Sequence, residues 1–269
     1  MLMKRHGISL MRLERIFLSH LHGDHVFGIF GLLSTLSMSG RTEPLHIYAP
    51  EGFDRILQFF REHFLERDTY PVEYHQLTAT EPEMLLDDAL LTVSALPLRH
   101  RVPSYGFLFR EKEPGLNVRK SAVAEYSLSV EEILALKSGR DAVRADGTVL
   151  RAEALTYVPY RPRSFAYVGD TAVFDGLSDM VKGVDLLYHE ATFGDDCADK
   201  AAQMFHCTAR DAAETALRAG AGRLVIGHFS SRYKDTGVLL RQAREVFPDT
   251  EAGMEGAVFE VPEKTHKDE

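Results

Sequence analysis

The chain has 269 residues, a formal net charge of −9 and two cysteines, Cys197 and Cys207. Such a length buries a substantial core as one large domain or two small ones, while two cysteines exclude a disulfide scaffold and fit a reducing cytosol. The acidic balance argues mildly against a protein that coats nucleic acid indiscriminately, and neither a bilayer-length apolar run nor a secretory leader is recognisable.

Residues 1–8, "MLMKRHGI", read as the end of a helix closed by Gly7. "RIFLSH" is a short apolar strand entering a histidine cluster, and "VFGIFGLLSTLSMSG" a buried helix ending at Gly40. "PLHIYAP" is a strand, "EGFDRILQFFREHF" an amphipathic helix, and "LLTVSALPLRH" and "SYGFLFR" are strands. From Glu111 to Glu153 the texture turns charged, with turn signals at "EPG" and "ADG" around one helix, "SVEEILALK"; this reads as an arm inserted into the core. Strands and helices then alternate through "FAYVGD", "VFDGLSDMVKG", "VDLLYHEAT", "TARDAAETALRAG", "RLVIGH" and "GVLLRQAREVF" to a last strand, "GAVFEV". The alternation predicts an α/β fold, and the tail "PEKTHKDE" reads as frayed.

Metal-ligand residue types recur at one structural address. His20, His100, Asp170, the pair His189–Glu190, and His228 each follow an apolar strand run. The carboxyl ends of strands are where sites assemble, because loops converge there on a rigid frame. In "SHLHGDH", residues 19–25, His20 and His22 alternate along extended chain and face one side. Gly23 then turns the chain before Asp24 and His25, so two ions a few ångströms apart suit the block better than one.

"SHLHGDH" has the HxHxDH pattern of the metallo-β-lactamase superfamily. With "LRHRVPSYGF", "VGDT", "HEATF", "HCT" and "IGHFSSRY" following in that order, nearly the whole chain resembles the ribonuclease Z family of tRNA 3′-processing endonucleases. The resemblance implies a four-layer αβ/βα fold: one metallo-β-lactamase-like domain over residues 1–269, with the arm at 111–153 as a candidate tRNA-binding exosite. It assigns His20, His22 and His100 to one zinc and Asp24, His25 and His228 to a second, with Asp170 bridging them. Manganese or cobalt would be tolerated by the same donors. Two such dications would supply a hydroxide near neutral pH and neutralise phosphate charge. Asp24 would also orient or deprotonate the water, and His206 would protonate the leaving 3′ oxygen with Glu190 holding it. The implied products are a tRNA with a 3′-hydroxyl and a trailer with a 5′-phosphate, and the implied setting a cytoplasmic homodimer.

Cys207 stands where the family's "HST" block has serine, and reads as a small buried residue; His189 reads as a group that seats its strand end. His6, His46, His63, His75 and His266 are assigned no role. Arg232 and Tyr233 would meet RNA or pack their loop, and Lys112, Arg119, Lys120, Lys137, Arg140 and Arg144 would grip phosphates from the arm or form a solvated face. The family's first strands and their Gly-rich loop precede HxHxDH, whereas this chain reaches His20 almost at once. The expectation is therefore a fold lacking the first N-terminal strands, and either a longer natural product or reduced stability. Two alternatives accompany the tRNA reading: a related metallo-phosphodiesterase acting on small esters, and a truncated, impaired metal-binding form.

Overall fold

The computed structural model describes residues 2–65, 69–261 and 264–265. The chain divides into two compact units: residues 1–87, 92–109 and 164–259 form the first, and residues 88–91, 110–163 and 260–269 the second. The second is wider than the arm expected at 111–153.

The first unit is layered helix, sheet, sheet, helix. Strands Arg15–Phe17, Leu45–Pro50 and Val72–Leu77 form a parallel three-stranded sheet in that order, with Ile16 opposite Ile47 and Ile47 opposite Tyr74. Alternation puts Leu45, Ile47 and Ala49 on one face, where they bury against Val26, Leu33 and Leu36 of helix Gly23–Met38 and Phe53, Leu57 and Phe60 of helix Phe53–Phe64. The other face carries Tyr48 and Leu77 into a core shared with Ala95, Tyr105 and Phe107.

Those three residues belong to a seven-stranded sheet ordered Thr250–Ala252, Leu224–Gly227, Leu186–Glu190, Ser164–Val168, Ser104–Glu111, Leu91–Leu98, Glu83–Asp87. Its first four strands run parallel. Along Leu91–Leu98, Ala95 faces the inter-sheet core while Leu96 joins the core beneath helices Ala209–Ala219 and Gly237–Val246. The alanine face of Ala209–Ala219, with Ala209, Ala212, Ala213 and Ala216 fully buried, lets that helix approach the sheet closely.

The second unit has a small core of its own: Ala122, Leu136, Ala142, Leu150, Ala152 and Leu155. Its helix Val130–Lys137 starts in a capping box, Ser129 accepting from the Glu132 amide while the Glu132 carboxylate accepts from the Ser129 amide. Arg144 closes on the same carboxylate at 2.7 Å and donates to the Tyr126 carbonyl at 2.6 Å.

Several sequence-based expectations need correcting. Helix Gly23–Met38 begins before the apolar run and is buried on one face only; Phe27 and Met38 are 72% and 81% exposed. Strands Val72–Leu77 and Glu83–Asp87 and helix Ala198–Met204 were not expected; the first two mix charged residues into their alternation, and the helix is short. The second unit holds helices Lys120–Glu125 and Ala152–Leu155 besides the one expected. "GAVFEV" forms no strand: Val258 is 83% exposed and the seven-stranded sheet ends at Thr250–Ala252 instead. Alternation marks a segment that fits a sheet surface, but a strand also needs a partner edge. The tail is not wholly frayed, since Lys264–Thr265 pairs antiparallel with Tyr160–Arg161; the remaining residues of "PEKTHKDE", His266 among them, lie outside the described residues.

Candidate active site

The strand ends deliver their polar residues to one place. His20 lies three residues past strand Arg15–Phe17, His100 and Asp170 lie two past Leu91–Leu98 and Ser164–Val168, and His228 follows Leu224–Gly227 directly. His22 caps helix Gly23–Met38, placing Asp24 and His25 in its first turn.

Two overlapping sets of donor atoms result. His20, His22, His100 and Asp170 bring theirs within 4.8 Å of one another, as do Asp24, His25 and His228. Asp170 stands between: Oδ2 is 3.6 Å from the Nε2 atoms of both His20 and His25 and 3.9 Å from that of His100, while Oδ1 is 3.3 Å from His228 Nε2. Asp170 Oδ1 is buried without a hydrogen-bond partner. A native protein seldom leaves a buried carboxylate oxygen unserved.

The ring tautomers are held from behind. His100 Nδ1 donates to the Phe205 carbonyl at 2.9 Å, which leaves its Nε2 lone pair facing inward. The Thr192 hydroxyl donates its one proton to Glu190 Oε2 at 2.7 Å, so at 2.8 Å it accepts from His228 Nδ1 and fixes that Nε2 the same way. Phe205 and His228 both sit at φ 59°, a left-handed backbone that costs a non-glycine residue roughly 1–3 kcal/mol. Gly227, just before His228, lets the Tyr188 ring pack against the strand end, since a Cβ there would run into that ring.

Burial lowers the pKa of His20 to about 3, with His25, His22 and His100 adding to the effect. Burial likewise holds His25, His100 and His228 below the usual imidazole range. The Asp170 carboxyl is pushed up to about 6, first by burial, with Glu190 and Asp24 adding and His25 opposing. Neutral imidazoles crowded round a reluctant carboxylate are a poor arrangement for a bare protein and the donor set a divalent cation satisfies.

Beside the cluster lies a second constellation. Glu190 is fully buried and accepts from His206 Nδ1 at 2.8 Å, from the amides of Thr171, Thr192 and Cys207 at 3.2, 2.9 and 3.1 Å, and from the Thr192 hydroxyl. Burial alone would raise its pKa; the hydrogen bonds and charge of His206, with those from Thr192, hold it below the ordinary carboxylate value. For His206 burial works downward, but the Glu190 hydrogen bond and charge win and its pKa is raised. The His206 ring lies 5.1 Å from that of His100 and stacks at 5.5 Å on that of His228.

All nine residues singled out in the sequence, the seven candidate ligands with His206 and Glu190, are therefore brought together in one cluster. Asp24 is its most exposed member, with 75% of its side chain accessible. His189 is fully buried and turned away, its Nδ1 2.6 Å from the Glu190 carbonyl. Cys207 is buried, its thiol donating to the Thr171 carbonyl at 3.1 Å. Arg232 lies over the Phe193 ring and Tyr233 bonds Asp196, so both pack their loop. Sequence reasoning missed Thr192, although its place two residues after Glu190 in "HEATF" was the available signal. The Phe205 carbonyl had no signal at all.

These features define the class. A family model described as the metallo-beta-lactamase superfamily matches residues 1–109, and one described as a beta-lactamase superfamily domain matches residues 137–229. The fold is the metallo-β-lactamase fold, whose members use divalent metal. Ribonuclease Z of Bacteroides thetaiotaomicron is 39% identical over 261 residues, covering 97% of this chain and 83% of that protein. Ribonuclease Z of Porphyromonas gingivalis is 43% identical over 244 residues, covering 91% and 80%. Human tRNase Z, short form, superposes with a TM-score of 0.69 at 25% identity, covering 97% of this chain and 83% of that one. A diphosphatase of the PhnP family shares the fold at a TM-score of 0.58 and 18% identity, covering 98% and 76%. The chain belongs to the ribonuclease Z family.

Proposed function

We propose that this chain is a zinc-dependent endoribonuclease that removes the 3′ trailer from precursor tRNA, leaving a tRNA 3′-hydroxyl and a trailer 5′-phosphate. His20, His22 and His100 would hold one ion and Asp24, His25 and His228 the other, with Asp170 shared; the unpartnered Asp170 Oδ1 and the inward lone pairs of His100 and His228 support that set. When bound, the dications supply a nucleophile near neutral pH and neutralise the non-bridging phosphate oxygens.

The protein's own groups do the rest. Asp24, the exposed carboxylate of the cluster, orients the attacking water and accepts its proton. His206 holds a proton on Nε2, the nitrogen opposite the one that bonds Glu190, and donates it to the departing 3′ oxygen. Glu190 supplies the charge that keeps His206 protonated, and Thr192 bonds Glu190, His206 and His228 into one frame. One observation carries the reading: a carboxylate-backed imidazole of raised pKa, 2.8 Å from its partner, beside a cluster built for cations. The 111–153 arm would hold the tRNA, and a cytoplasmic homodimer completes the proposal.

The test is incubation with a precursor tRNA carrying a 3′ trailer, with zinc and separately with manganese. Cleavage just beyond the tRNA body is expected, absent from Asp24→Ala and from a chelated sample. Hydrolysis of small phosphodiesters without cleavage of the tRNA would replace this reading with the small-ester one.

A further inference from the structure

A second convergence of metal-ligand atoms lies at the other end of the three-stranded sheet. His46 is the second residue of strand Leu45–Pro50, whereas His20 stands beyond the carboxyl end of strand Arg15–Phe17. In the parallel register His46 is opposite Glu73 and Tyr48 opposite His75. Residues two apart on a strand share a face, so His46, Glu73 and His75 all project to the same side. Their donor atoms lie within 4.8 Å of one another.

Two contacts meet on a single nitrogen. His46 Nδ1 is 3.0 Å from His75 Nε2 and 3.2 Å from Glu73 Oε2. An imidazole nitrogen carries either a proton or a lone pair, so in either tautomer a neutral His46 cannot serve both contacts fully. Donors bound tetrahedrally at zinc distances stand about 3.3 Å apart. The observed separations need to open by only a few tenths of an ångström. The His75 ring is oriented by stacking on Tyr48, with centroids 4.5 Å apart and planes at 15°, and Tyr48 stacks in turn on Phe17 at 4.8 Å. The neighbouring cation, Arg15 on the adjacent strand opposite His46, is engaged by Glu14 at 2.9 Å. The His46 and Glu73 side chains are 31% and 50% accessible, which gives an ion a path in and leaves positions for water.

We infer that His46 Nδ1, Glu73 Oε2 and His75 Nε2 form a peripheral site for a zinc-class divalent cation, separate from the catalytic cluster. Two imidazoles and a carboxylate with an open position suit zinc, and cobalt or nickel would enter by the same donors. The bound ion would clamp strand Val72–Leu77 to strand Leu45–Pro50 through His46, Glu73 and His75. The site does not depend on the nuclease reading.

Zinc bound per chain, measured by mass spectrometry of the element after dialysis against buffered zinc, tests it. The double substitution His46→Gln/His75→Gln and the single Glu73→Gln are compared with the intact chain, and His63→Gln, on the exposed face of a helix, is the control. The expected result is about one equivalent fewer in the double variant, unchanged zinc in the control, and at least tenfold weaker retention of that equivalent in Glu73→Gln. Equal zinc in the intact chain and both test variants, or an equal loss in the control, would overturn the proposal. Should the double variant fail to fold, as judged by its melting temperature in metal-free buffer, Glu73→Gln alone decides.

Discussion

The two units of this chain treat polar groups in opposite ways. In the second, Glu132 is met by the Ser129 amide and by Arg144, Arg163 closes on Glu111, and a short apolar core seals the helices. In the first, imidazole nitrogens of His20, His25, His100 and His228 crowd the buried Asp170 carboxylate at 3.3 to 3.9 Å. Among the described residues, the buried side-chain atoms without a partner, Asp170 Oδ1 and His189 Nε2, both belong to the first unit. Charges paired off at the surface hold a fold together with little cost. Polar groups held unpaired in a core persist only where the surroundings over-determine them, which marks the first unit as the seat of chemistry.

The strongest way to break this contrast is to remove what the first unit is built to hold. Chelation, or Asp170→Ala, is expected to take tRNA cleavage to background while the circular dichroism of the second unit's helices persists; retained cleavage would sink the assignment. Next comes the proton donor. His206→Ala should lower kcat roughly 10²–10⁴-fold, with KM little changed. As a general acid His206 works while protonated, so activity should fall as pH rises through its raised pKa. Glu190→Gln removes the group that raises it, and the alkaline limb of the pH–rate profile should move to lower pH.

Thr192→Val sharpens the comparison, since it keeps the shape and removes the hydroxyl that fixes His228. A loss of about 10–100-fold in metal affinity or activity is expected, read by zinc titration. A smaller effect concerns Asp170 itself, whose carboxyl is pushed up to about 6. It is protonated below that pH and must lose its proton to bind an ion. Metal affinity should therefore weaken by about tenfold per pH unit below 6 and level off above it, apart from histidine protonation. The smallest effect on chemistry should come from the second unit. Leu136→Ala, at a fully buried site, should cost that unit about 2–5 kcal/mol while zinc content and kcat stay within a factor of about two. A loss of bound metal in that variant would show the contrast to be mistaken.

The sequence alone determined the α/β alternation, the strands and helices that carry the cluster, and the identity of the cluster. Those are local signals: period, caps, and ligand types set immediately after apolar runs. "SHLHGDH" announces itself within seven residues, and His100, Asp170 and His228 share its address at a strand end. Tertiary structure decided what depends on partners distant in sequence. "GAVFEV" alternates like a strand yet finds no partner edge. Thr192 gained its role because His228, 36 residues on, donates to its hydroxyl at 2.8 Å. His46 and His75 looked like ordinary histidines 29 apart until the parallel register of two strands set their nitrogens 3.0 Å from each other. Register and loop closure are cooperative outcomes of packing, and no window along the chain contains them.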